Sequence, residues 1–150
     1  MNIEDLKKEM PYKWRVQSAN EYGASCVAYI DARDVQDKLD EVVGAENWSV
    51  SYKEIKGNLF CTIGIKSETV ETFKTDCGTE SNIEKQKGES SDAFKRAAVM
   101  WGVGRFLYHK PIIKLDAIQN KQGKWMASFE GKILYGDEVT RACNFKLNKG

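Results

Sequence analysis

The chain has 150 residues, 41% of them hydrophobic and 11% aromatic, enough for one domain with a real core and too few for two ordinary ones. Its formal charge is only +1, which argues against a globally basic nucleic-acid binder and leaves local clustering of cations as the route to any polyanion site. Cys26, Cys61, Cys77 and Cys143 form no CxxC pair and His109 is the single histidine, so zinc is poorly supported and neither metal nor cofactor is expected.

The first ten residues carry acids and no apolar run of a signal peptide, and no later stretch approaches a spanning length. The expectation is a cytoplasmic protein with reduced thiols and no membrane association. In chain order, residues 2–9 read as a short polar helix ended by Pro11, and Trp14 and Val16 open an extended segment. Ala24 to Ile30 is a short apolar run after Gly23, which reads as a buried strand. Asp31 then stands as a helix N-cap. Val35, Leu39, Val42 and Val43 follow at helical spacing, and Gly44 lies where a C-cap belongs.

Trp48, Val50 and Tyr52 alternate with polar residues, as do Leu59, Cys61, Ile63 and Ile65 beyond a turn at Lys56-Gly57-Asn58. A third strand near Val70 to Cys77 pairs with the second through a turn at Ser67-Glu68, which predicts an antiparallel meander. Residues 78–89 hold one large apolar side chain and read as a surface loop. A helix capped at Ser90 or Ser91 follows. Phe94, Ala97, Ala98 and Trp101 form its apolar stripe, and Lys95 and Arg96 lie outside it. Ile112 to Leu115 suggests a strand, Trp125 to Ile133 another around Gly131, and the last fifteen residues fit either a helix or a strand.

Charge is segregated along the chain. Residues 88–114 hold five Lys or Arg against Glu89 and Asp92, whereas residues 31–46 hold six acids against Arg33 and Lys38. That pattern fits a polyanion groove, or a basic patch on one subunit meeting an acidic patch on the next. Gly102-x-Gly104 ends a helix instead of opening one, and no GxxxxGK[ST] occurs, so a nucleotide-driven motor is not indicated. Trp101, Phe106 and Tyr108 are candidates for stacking on bases, although at helical spacing such residues more often belong to a core. No nucleophile stands out. A metal-dependent nuclease would need Asp31, Asp34 and Glu54 brought together, which spacing does not dictate. A module that only self-assembles is the other alternative.

Lys13-Trp14-x-Val16-Gln17-Ser18, then Tyr29-Ile30-Asp31-Ala32-Arg33-Asp34-Val35 with Leu39, Gly44 and Trp48, are followed by the meander. Next come Ser91-Asp92-Ala93-Phe94-Lys95-Arg96-Ala97 and Gly102-Val103-Gly104-Arg105-Phe106-Leu107-Tyr108. In this order they resemble the DNA-binding domain of the Rad52/Rad22 single-strand annealing family, most closely its short phage and prophage forms, over residues 11–112. The resemblance implies an α+β fold with a β-β-β-α core, its antiparallel meander packed on a long helix, and assembly into a ring. Within the single domain over 1–150 expected from length, it marks 11–112 as the annealing core and leaves 113–150 as an extension of unassigned role.

The function implied is non-enzymatic: ATP-independent binding of single-stranded DNA and annealing of complementary strands in recombination and repair. The setting is a bacterial host cell, with a single-strand binding protein or an exonuclease as a further partner. Lys95 and Arg96 match the family's helix pair that lines the inner groove. Where the family places a further cation at the start of the first core helix, Asp34 stands here with Arg33 one position earlier. The third helix cation falls at Val99, so Arg105 is the candidate to supply that charge. Lys85 and Lys87 are candidates for a second, outer DNA contact. The alternative kept beside this reading is a metal-dependent nuclease or a nuclease accessory protein.

Overall fold

A computed structural model describes residues 2–78 and 85–149, and the side chains of these except at 85–87. In chain order its elements are β1 (Lys13–Asn20), β2 (Gly23–Tyr29), α1 (Ala32–Val43), β3 (Trp48–Ile55), β4 (Asn58–Ser67) and β5 (Val70–Cys77). After these come α2 (Lys85–Met100), β6 (Ile113–Gln119), β7 (Trp125–Phe129), β8 (Lys132–Ile133) and α3 (Asp137–Lys149). The fold is α+β. Two compact units divide it: Met1–Met10 with Ile30–Phe106, and Pro11–Tyr29 with Leu107–Gly150.

The first unit is the expected meander with its helix. β3, β4 and β5 form an antiparallel sheet in that order. Its register sets Trp48, Val50 and Tyr52 beside Ile65, Ile63 and Cys61, and these beside Thr72, Lys74 and Asp76. All nine share one face because side chains alternate along a strand. α2 packs on β4 and β5, burying Cys61, Ile63 and Ile65 against Ala93, Phe94, Ala97, Ala98 and Trp101. The alanines let the helix backbone come close. The Trp101 indole N–H donates to the Ile63 carbonyl at 3.0 Å and fixes the helix end on the central strand.

α1 begins with a reciprocal capping box. The Asp31 carboxylate accepts from the Asp34 N–H at 3.0 Å, and Asp34 accepts from the Asp31 N–H at 2.9 Å, satisfying two backbone donors at once. Val35, Leu39 and Val43 are buried, and the Trp48 indole donates to Asp40 at 2.7 Å.

α2 departs from expectation at its start. Its first described turn begins at Lys85, so Ser90 and Ser91 sit inside the helix rather than at its cap, and the loop assigned to 78–89 is helical from Lys85 onward. Lys, Gln and Glu are good helix formers, and one Gly88 does not outweigh them. Residues 79–84 of that assignment lie outside the described residues. The far end obeys its sequence: Val103 N–H reaches Ala98 O and Gly102 N–H reaches Val99 O. Gly102 stands at φ +105°, the arrangement of a Schellman cap that favours glycine there. The stretch at 2–9 is a 3-10 helix over Ile3–Lys7, capped by Asn2 and anchored by the fully buried Leu6.

The second unit is a sheet in the order β1-β2-β6-β7-β8. α3 lies against β1 and β6. Its core holds Trp14, Ala24, Cys26, Ile113, Leu115, Ala127, Val139 and Cys143. The Trp14 indole donates to Asn144 at 2.9 Å, and the Trp14 N–H donates to the Thr140 hydroxyl at 3.0 Å. Trp125 to Ile133, read from sequence as one strand, is a hairpin. β7 and β8 pair across Glu130-Gly131, where φ is positive at both positions. The last residues resolve as the helix α3.

Candidate nucleic-acid interface

α2 has one face for the core and another for charge. Ala93, Phe94, Ala97 and Ala98 are buried, Lys95 is half-buried and Arg96 is exposed. The two cations diverge. The Lys95 ammonium donates to the Ile30 carbonyl at 3.4 Å, which sets it at the backbone just before the α1 cap and three residues before Arg33. Arg96 turns to the sheet edge, where its Nε lies 4.0 Å from Asp76 Oδ1. That separation, with both side chains more than a third exposed, gives a loose ion pair open to competition from another anion.

Arg105 has a defined task of its own. Its guanidinium donates to Val99 O at 2.8 Å and Met100 O at 3.2 Å, two of the last carbonyls of the helix, the first of which also accepts from Gly102 N–H. Lys74 joins it: the ammonium donates to Met100 O at 3.3 Å and lies 4.7 Å from the centroid of the Trp101 ring. Sequence reading did not single out Lys74. The signal was present, since the alternation of β5 puts Lys74 on the helix-facing side with Thr72 and Asp76.

Arg33 is exposed in the first turn of α1. A cation there works against the helix dipole, so its charge is not explained by helix stability. Asp34, which occupies the position where the resemblance called for a cation, is the partner of Asp31 in the capping box. Lys85 and Lys87 lie on the first turn of α2, and their side chains are outside the described residues. Of the aromatic candidates, Trp101 is buried, whereas Tyr108 is exposed. Lys95 and Arg96 thus stand on α2, Lys74 on β5 and Arg105 just beyond the end of α2, with Asp76 beside Arg96.

Among the described residues no three His, Cys, Asp or Glu side chains are grouped so as to hold a metal ion. Asp31, Asp34 and Asp40 are engaged in the cap and with the Trp48 indole. Nor is any helix among the described residues long and apolar enough to cross a membrane.

The first unit is thus a meander backed by one helix that carries Lys95 and Arg96 away from its buried face. Residues 2–126 match the sequence model of the Rad52/22 family double-strand break repair proteins, and the chain belongs to that family. It is also similar to two proteins described as single-stranded DNA-binding protein DdrA. The Deinococcus deserti protein is 37% identical over 90 residues, covering 59% of this chain and 44% of that protein. The Deinococcus radiodurans protein is 31% identical over 122 residues, covering 74% of this chain and 58% of that protein. The chain therefore spans about half the length of these curated relatives. No solved structure matches it.

Proposed function

We propose that this chain binds single-stranded DNA by its phosphates along α2 and anneals complementary strands without ATP. The observation that carries this reading is the Lys95-Arg96 pair, held off the core on a helix whose opposite face is buried. Annealing requires strands gripped by phosphate with bases free to search, so cations should dominate and base-specific contacts should be few. The family supports the same reading, as do the relatives described as single-stranded DNA-binding proteins. Arg33 and Arg105, with Lys74, are the further phosphate contacts proposed here, and Lys85 and Lys87 belong to a proposed outer contact.

A near-neutral chain gains a strongly basic groove by repetition, so the working form proposed is a ring or arc of copies. The meander offers apolar side chains for such contacts on both faces: Val50, Tyr52 and Val70 on one, Ile55 and Phe73 on the other, all exposed. The proposed setting is the bacterial cytoplasm, with phage-type recombination as the context and a single-strand binding protein or an exonuclease as partner.

Fluorescence anisotropy with oligodeoxythymidine, followed by annealing of two labelled complementary strands without nucleotide, tests the reading. Binding that weakens with salt together with ATP-free annealing is expected. Magnesium-dependent cleavage of the strand would favour the nuclease alternative instead, and absence of binding at low salt would leave only self-assembly.

A further inference from the structure

We propose that the exposed stripe of α3, with the β7 end beside it, forms a second single-strand contact that grips bases by stacking. This rests on the reading of the chain as a single-stranded DNA binder but concerns a different unit of the fold. It also lies beyond the family match, which ends at residue 126.

Arg141, Phe145 and Lys149 stand four residues apart on α3 and so occupy one face, over a length of about 12 Å. Phe145 is 50% exposed and Phe129, at the end of β7, is 40% exposed. Their rings meet edge to face, centroids 6.0 Å apart at 80°. The Lys149 ammonium lies 4.6 Å from the Phe145 centroid, and Lys146 donates to the Lys114 carbonyl of β6.

A cavity of about 230 Å³ opens where Leu115, Phe129 and Phe145 supply apolar wall and Lys146 and Lys149 supply charge. It is smaller than the roughly 300–1,000 Å³ of sites that enclose drug-sized molecules, which suits one base rather than a whole ligand. A second recess of about 340 Å³ lies on the Arg141 side of the aromatic pair. Asp116 borders the first recess, and Glu130 and Glu138 border the second. Glu138 already accepts from the Tyr135 N–H at 2.9 Å, and it sits in the first turn, where an acid answers the helix dipole.

The occupant is set by the pairing of ring with cation. An apolar peptide would use Phe129 and Phe145 but leave Arg141, Lys146 and Lys149 idle, whereas a single strand offers a base to the rings and a phosphate to the ammonium groups. Unlike the α2 contact, this one would distinguish a strand with bases from one without.

The test compares oligodeoxythymidine with an abasic strand of equal length and charge, using the full chain. Wild type is expected to prefer the strand with bases by at least about fivefold, the lower end of what one stacked base contributes. Phe145→Leu should lose that preference while binding the abasic strand as wild type does, with the salt dependence unchanged. Phe129→Leu serves as the second variant, and circular dichroism checks that both remain folded. Lys95→Ala/Arg96→Ala should behave in the opposite way, binding weakly but keeping the preference. A wild-type ratio in both phenylalanine variants overturns the proposal, as does a change of oligomer size in place of a change in the ratio, since that would make a second copy the occupant. If wild type bound neither strand, the reading of the α2 contact would fall as well.

Discussion

Replacing Lys95 and Arg96 together with alanine should change the salt dependence of single-strand binding by an amount that the geometry bounds. Each phosphate contact on a single strand contributes about 0.7 to the slope of log affinity against log salt. If both cations reach phosphate, the slope falls by about 1.4, and affinity drops about 60-fold at 50 mM salt and about 10-fold at 200 mM. If Asp76, 4.0 Å from Arg96, keeps that residue neutralised, only Lys95 counts. The slope then falls by about 0.7, with losses of about 8-fold and about 3-fold. A fluorescence titration with oligodeoxythymidine at four salt concentrations separates these cases, and annealing should fail in parallel. Sedimentation should show the assembly size unchanged. A loss equal at all salt concentrations would refute the phosphate role, because a structural defect does not scale with counterions. Loss of the assembly would move the pair to a subunit contact.

Asp76→Asn removes the anion beside Arg96 and should tighten binding up to about fivefold at low salt, since an exposed unit-charge pair at 4 Å is worth about 1 kcal/mol in water. Unchanged or weaker binding would show that Arg96 does not face the strand. Arg105→Ala should weaken binding about threefold at 200 mM salt, one contact's share, and lower the melting temperature because Val99 O and Met100 O lose their guanidinium partner. A loss larger than that of the Lys95/Arg96 pair would reverse the ranking. Asp31→Ala should cost about 1 kcal/mol in urea unfolding through loss of the α1 cap, with affinity nearly unchanged at saturating folded protein; a neutral result would mean that the capping box contributes nothing. Burial pushes the Cys61 thiol up to about 11 from 9.0, so the folded state favours its protonated form. Its contribution to stability is complete below pH 9 and declines as pH rises toward about 11, where Tyr52 and Cys143, also raised, act in the same direction. Cys61→Ala should flatten that decline in urea midpoints measured between pH 8 and pH 11.

The parts of this fold that were legible in the sequence are those written locally. Alternation over Trp48 to Ile65 set the strand faces and the turn at Lys56-Gly57 divided β3 from β4, whereas the turn expected at Ser67-Glu68 falls one residue later, at Glu68-Thr69, because Ser67 still pairs with Val70. Asp31 and Gly44 bounded α1 to the residue. The second unit was hidden for a physical reason. Ala24 pairs with Leu115 and Cys26 with Ile113, and such a non-local partner leaves no trace in the period of either strand. The start of α2 was misread because a polar run of Lys, Gln and Glu looks the same in a loop and on a solvated helix. At the site, the apolar stripe showed that Lys95 and Arg96 stand outside the core. It did not show that one is held at Ile30 and the other at Asp76, because both anchors come from distant strands and helix ends.

Those anchors bear on how, in the proposed function, a chain of net charge +1 would hold a polyanion and still let it move. Among the described residues, the cations on or beside α2 are already occupied, Lys95 by a carbonyl, Arg96 by a carboxylate, and Arg105 and Lys74 by the carbonyls that end the helix. These are partners that position a side chain without burying its charge, so in the proposed contact a phosphate would exchange with them instead of meeting a bare ion. Exchange lowers the affinity of any single contact and raises the rate at which it lets go. Annealing needs that combination, since two strands must slide through many wrong registers before the right one. The tight binding expected of Asp76→Asn should therefore come with slower annealing, a divergence that a simple storage protein for single strands would not show.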